Sequence, residues 1–212
     1  VYLVKDFRRM VESQRASRWD HRMAPSIRGR RVLLLGPGGV GREIALMLRA
    51  VGMEVDIVGR SAREDEVLGR IHAITELDEL LPRADDVVAA LPLTEQTRGI
   101  MNADRLALMR PDAHFVNVGR GPLVDEPALV KALQEGRIAG AALDVFEVEP
   151  LPAGHPFWSM ENVLMSAHMS ADVYGWERQS IQLFTDNLKR WRAGEPLLNV
   201  VDKAGFAVGA SA

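Results

Sequence analysis

The 212 residues carry 26 Lys plus Arg against 29 Asp plus Glu, and 47% of them are hydrophobic. That is enough apolar material for one large domain, or one domain with an appendage, and there is no overall cationic excess of the kind a nucleic-acid surface needs. The absence of cysteine excludes disulfide frameworks, thiolate zinc sites and cysteine nucleophiles, and a reducing, cytoplasmic setting is expected. No apolar run approaches the roughly 18 residues that cross a bilayer, and nothing at the start reads as a signal peptide.

Leu3, Phe7, Met10 and Val11 recur at helical spacing, which predicts an amphipathic helix running toward Trp19 and broken near Pro25. Residues 1–31 hold nine basic side chains and three acidic ones, read here as the solvated face of a packed helix rather than a nucleic-acid arm. Residues 31–35 then read as a short buried strand, 36–41 as a glycine turn, 42–50 as a helix turning Ile44, Ala45 and Leu48 inward, and 53–58 as a second strand. A helical turn at 75–81, a strand at 86–91, a short helix at 104–109 and a strand at 114–118 follow. The helix at 126–135 has Asp125 as N-cap and Gly136 as stop. Strands at 138–145 and 163–166 and a helix at 176–192 complete the series. Strands alternating with helices predict an α/β, doubly wound parallel sheet, whose ligands sit at the carboxyl ends of the strands.

Gly36-Pro37-Gly38-Gly39-Val40-Gly41 fits G-x-G-x-x-G between a strand and a helix. The first glycine permits the turn, the second lets a pyrophosphate approach, and the third lets helix and strand pack. At the end of the second strand an NAD site places a carboxylate for the ribose 2′-hydroxyl, but here the chain reads Arg60-Ser61-Ala62-Arg63. Arg60 and Arg63, with Ser61 as a neutral donor, suit a 2′-phosphate. NADPH is therefore expected to be preferred, with NAD as the alternative coenzyme.

Three further blocks sit at successive strand ends. Leu91 to Gly99 is a loop held open by Pro92; Asn117-Val118-Gly119-Arg120-Gly121 sets an arginine after a buried strand; Asp144 to Pro150 and Ala167-His168 follow the next two. One at a time, Asp144 reads as a loop cap, His168 as a satisfied core histidine and Arg120 as half of an ion pair. Together they offer an anion anchor, a carboxylate and a titratable imidazole around one crevice.

In these blocks the sequence resembles the D-isomer-specific 2-hydroxyacid dehydrogenases, and Arg60 to Arg63 with Glu149-Pro-Leu-Pro are most similar to their NADP-linked glyoxylate and hydroxypyruvate reductase branch. The resemblance implies a Rossmann-type coenzyme domain over residues 1–172, with a leading dimerisation helix, and a helix and tail over 173–212 that return to a substrate domain. It implies that Arg120, Glu149 and His168 are catalytic. Coenzyme contacts are implied for Gly36, Gly38, Gly39, Val40, Gly41, Arg60, Ser61, Arg63, Leu91, Pro92, Thr97, Val118, Gly119, Arg120, Asp144 and His168. The implied reaction is reduction of a small 2-keto acid to its D-2-hydroxy acid in a homodimer. Two departures stand out: Ala89-Ala90-Leu91 where the family often has a histidine, and a start at Val1, downstream of the family's N-terminal substrate-domain segment. Exposed apolar residues at both ends are therefore expected. Two competing readings are a coenzyme-binding interaction protein like the corepressors built on this scaffold, and a chain that binds coenzyme without turnover.

Overall fold

The computed structural model describes residues 2–200, and the chain divides into two compact units, Val1–His168 and Met169–Ala212. The first opens with α1 (Tyr2–Lys5) and α2 (Phe7–Arg15). The spacing predicts one helix toward Trp19; the structure breaks it at Asp6, which lies at φ 50° and caps α2 by accepting from Arg9 N, and ends it at Arg15. A short polar side chain that bonds its own backbone tolerates this left-handed conformation, a signal that apolar periodicity does not carry. Much of the basic excess is paired locally: Arg9 and Arg22 hold Asp20, and Arg8 holds Glu12.

The doubly wound sheet follows. Its elements are β1 (Arg31–Leu35), α3 (Gly39–Ala50), β2 (Glu54–Gly59), β3 (Arg63–Asp65), β4 (Gly69–Ala73), α4 (Leu77–Leu80), β5 (Asp86–Ala89), α5 (Ala103–Leu108), β6 (His114–Asn117), α6 (Glu126–Gln134), β7 (Gly140–Leu143) and β8 (Val163–Met165). The eight strands lie in the order β3-β4-β2-β1-β5-β6-β7-β8, all parallel except β3. The chain leaves β1 in one direction through β2 and β4, then returns to the other side at β5, so the switch point lies between β1 and β5.

Both faces of the sheet are covered. Along β1, Leu33 and Leu35 enter one cluster with Phe115, Leu106, Leu129 and Leu133, while Val32 and Leu34 enter the other with Ala45, Ile57 and Leu68. This period of two, with apolar residues on both faces, is why β1 reads as a continuous hydrophobic run. Asp125 caps α6 by accepting from Ala128 N, and Gly136 follows the helix at φ 63°, as the residues predict. The strand predicted over 138–145 is shorter, because only Gly140–Leu143 pair with β6, and of these only Ala141, Ala142 and Leu143 pair with β8 as well. The β3–β4 hairpin was not expected: Arg-Glu-Asp has no apolar alternation to mark a strand.

At the amino ends of the strands, Arg30 grips Asp86 through two contacts of 2.9 and 3.1 Å, and His114 Nδ1 lies 3.0 Å from the same carboxylate. Burial alone would raise the Asp86 carboxyl, but hydrogen bonds from His114 and Arg30 outweigh it and hold the group below its usual range.

The second unit is built on α7 (Trp176–Ala193), closed by Gly194 in the left-handed region. Asn187 exchanges two hydrogen bonds with the backbone of Leu198 and thereby folds the following segment back on the helix. Ile181, Phe184, Leu188 and Trp191 form an exposed apolar stripe at helical spacing, matching the expectation for this end, as Trp19 and Met23 do for the other. Val1, and residues 201–212 of the predicted returning tail, lie outside the described residues. Among those described, no helix is long and apolar enough to cross a membrane.

Candidate active site

The crevice opens where β1 and β5 end side by side. A side chain on Gly41 would collide with the carbonyl oxygen of Gly36, so the third glycine of the motif lets the first turn of α3 lie directly on the end of β1. At Gly38 and Gly39 the reverse holds: an added Cβ meets nothing within 4 Å, and no side chain caps α3. The backbone there is an open cradle at the positive end of a twelve-residue helix, which suits a pyrophosphate.

Two adjoining cavities run from this cradle. One, of about 590 Å³, brings Arg60, Ser61 and Arg63 together with Leu91, Pro92 and Thr97, and no carboxylate lines it. Arg60 and Ser61 lie on the turn after β2, whereas Arg63 stands on β3 rather than in a loop. The Thr97 hydroxyl donates to Pro92 O at 2.7 Å and accepts from Thr94 N at 2.8 Å, so part of its capacity closes its own loop. The other cavity, of about 380 Å³, gathers Val40, Leu91, Pro92, Val118, Gly119 and Arg120, all among the implied coenzyme contacts.

Arg120 is aimed by its neighbours. Buried Asn117, the last residue of β6, accepts from Gly119 N at 3.1 Å and donates to Arg120 O at 2.9 Å, fixing both sides of the turn. Gly121 then presses against the backbone of Phe146 so closely that any side chain would collide, which seats the arginine turn beside the loop that carries Glu149. The residues reveal Asn117 as part of a motif but give no hint of this bracing role; a fully buried amide at a strand end is the sign that shows it.

Glu149 accepts from Phe146 N through one oxygen at 2.9 Å and holds His168 Nδ1 with the other at 2.7 Å. Burial acts to raise its carboxyl, but the hydrogen bonds from His168 and Phe146 and the charges of His168 and Arg120 prevail and hold it below the usual carboxylate range. His168 is not a core histidine: its side chain is 46% exposed and its backbone lies at φ 51°, in the left-handed region that few non-glycine residues adopt. Its N–H is tied to Asp144 O at 2.8 Å, which fixes where the ring projects. Both residues line a mostly apolar cavity of about 550 Å³. Asp144 itself is buried beneath the site, accepts from the Ser166 hydroxyl at 2.6 Å, and lines none of these three cavities.

The model of the D-isomer specific 2-hydroxyacid dehydrogenase NAD binding domain matches residues 1–170. The chain belongs to this dehydrogenase family. It is 37% identical over 208 residues to a glyoxylate reductase of Thermococcus onnurineus, covering 92% of this chain and 62% of that one. The NADPH complex of a D-isomer specific 2-hydroxyacid dehydrogenase from Xanthobacter autotrophicus superposes with a TM-score of 0.84 at 41% identity, covering 95% of this chain and 82% of the other. An NADPH-dependent glyoxylate/hydroxypyruvate reductase from Sinorhizobium meliloti, in complex with NADP and sulfate, gives 0.86 at 32% identity over 95% and 65% of the two chains. The chain spans about 60% of the length of the curated relatives it matches. The matched region is the family's NAD binding domain, and its Rossmann-type sheet has its switch point between β1 and β5.

Proposed function

We propose that the protein reduces a small 2-keto acid of the glyoxylate or hydroxypyruvate kind to the D-2-hydroxy acid, with NADPH as reductant and His168 as the acid. The observation that carries this reading is the 2.7 Å pair between Glu149 and His168, set beside Arg120 at the carboxyl ends of the strands. Gly38, Gly39 and the first turn of α3 would hold the pyrophosphate, and Arg60, Ser61 and Arg63 the 2′-phosphate. A reduced nicotinamide, when bound, supplies a hydride.

The remaining work falls to the chain. Glu149 accepts from Nδ1–H and so holds the ring with Nε2 free, from which a protonated His168 gives a proton to the carbonyl oxygen as it becomes a hydroxyl. Arg120 binds the substrate carboxylate or keto oxygen and stabilises negative charge developing on oxygen. NADPH is favoured over NADH because the cavity that meets the ribose offers two guanidinium groups and no carboxylate. The Sinorhizobium meliloti reductase, named as NADPH-dependent, supports the same choice.

Steady-state assays of NADPH oxidation with glyoxylate, hydroxypyruvate and pyruvate test the reaction; no turnover with any of them overturns it. For the coenzyme, Arg60→Ala is expected to weaken NADPH about tenfold, the worth of one charge-assisted hydrogen bond, and to spare NADH. An unchanged NADPH affinity overturns that part.

A further inference from the structure

The β3–β4 hairpin is a small edge element with one functional residue, Arg63, at its start. Its three pairs, Arg63 with Ile71, Glu64 with Arg70 and Asp65 with Gly69, give it little hold of its own, since a three-residue edge strand has a neighbour on one side only. What secures it is the helix of the glycine motif. Asp65 Oδ1 closes the hairpin turn by accepting from Val67 N and Leu68 N, both at 2.9 Å, and the same oxygen lies 3.3 Å from Arg42 Nη1. Leu68 is buried in one cluster with Ala45, and Arg49 Nη2 donates at 3.0 Å to the carbonyl oxygens of both Leu68 and Val55. Arg42, Ala45 and Arg49, three and four residues apart, occupy one face of α3. The helix whose first turn forms the pyrophosphate cradle thus also clasps the hairpin that delivers Arg63.

We propose that Asp65, acting with Arg42, is a positioning residue for coenzyme discrimination: it pins the hairpin to α3 and so fixes Arg63 at the 2′-phosphate end of the cleft. This rests on the reading of Arg60 and Arg63 as 2′-phosphate ligands. Neither Asp65 nor Arg42 lines that cavity, so the effect is transmitted through the hairpin and not by contact. A purely electrostatic role has the opposite sign. A carboxylate that merely added negative potential near the coenzyme would weaken NADPH, and its removal would tighten binding.

The test is titration of NADPH and of NADH into the protein and into Asp65→Ala, Asp65→Asn, Arg42→Gln, Arg60→Ala and Arg63→Ala. Asp65→Ala and Arg42→Gln are expected to weaken NADPH by roughly three- to tenfold, as when a charge-assisted hydrogen bond is misaligned rather than deleted, and to leave NADH unchanged. Asp65→Asn keeps an acceptor for the two turn N–H groups and is expected to recover part of the loss. A merely structural role would lower affinity for both coenzymes alike, and that result overturns the proposal. Tighter NADPH binding in Asp65→Ala and Asp65→Asn overturns it in favour of simple repulsion. If Arg63→Ala lowers the NADPH preference while Asp65→Ala and Arg42→Gln keep it, the clasp is wrong and the 2′-phosphate reading stands. If Arg63→Ala and Arg60→Ala both leave NADPH affinity unchanged, the 2′-phosphate reading falls and takes the clasp with it. Should Asp65→Ala fail to fold, Arg42→Gln and Asp65→Asn carry the same comparison.

Discussion

The two ends of one sheet hold the same three kinds of side chain. At the amino ends, Arg30, Asp86 and His114 are 13, 13 and 12% exposed, and both carboxylate oxygens are taken by the other two groups. At the carboxyl ends, Arg120 lines one cavity and Glu149 and His168 another, near enough for the Arg120 charge to act on Glu149, with Glu149 35% and His168 46% exposed. An arginine, a carboxylate and an imidazole do not by themselves make a site. The amino-end trio spends its hydrogen bonds on itself and ties β1, β5 and β6 together. The carboxyl-end trio holds one ring nitrogen of His168 and sits where a ligand can reach the other.

That contrast is sharpest in turnover. His168→Gln is expected to lower turnover by about 10²- to 10⁴-fold and NADPH affinity far less, whereas His114→Gln changes neither measurably. Stability reverses the order. Arg30→Ala strands the Asp86 carboxylate in a mostly buried position and should cost about 2–4 kcal/mol in urea unfolding, with no change in coenzyme affinity. Arg120→Ala, on an exposed turn, should cost less than about 1 kcal/mol in the same measurement.

Acid separates the ends next. The folded-state pKa of Asp86 lies below its ordinary value, so its stabilising contribution is fully present above the usual aspartate range and is lost as pH falls through the depressed value. Unfolding curves across that window should therefore lose part of their pH dependence in Asp86→Asn. Glu149 has the same sign, but its exposure makes its share smaller. The smallest effect is expected for Glu12→Ala at the opening helix, where a surface pair with Arg8 four residues away is worth about 0.5 kcal/mol.

The carboxyl end was legible in the residues because its signals are local. The glycine motif, the arginines after β2 and the motif around Arg120 each sit within a few positions of a strand end that apolar runs reveal. Asp125 and Gly136 were legible for the same reason, as caps on a periodic helix. The amino-end trio was not, because Arg30, Asp86 and His114 are 28 or more residues apart and share no pattern until the strands are set in register. The hairpin and the break at Asp6 escaped because both depend on polar side chains bonding nearby backbone, which apolar periodicity does not report. The resemblance implies a coenzyme contact for Asp144; its burial and its Ser166 partner belong to the fold and carry no local signal in the residues.

The most direct measurement pairs NADPH titration with NADPH-dependent reduction of glyoxylate and hydroxypyruvate, in the unaltered protein and in His168→Gln. If the Glu149–His168 pair is the acid, the variant loses turnover far more than it loses NADPH affinity. Turnover at the unaltered rate, or loss of binding and turnover in the same proportion, contradicts it.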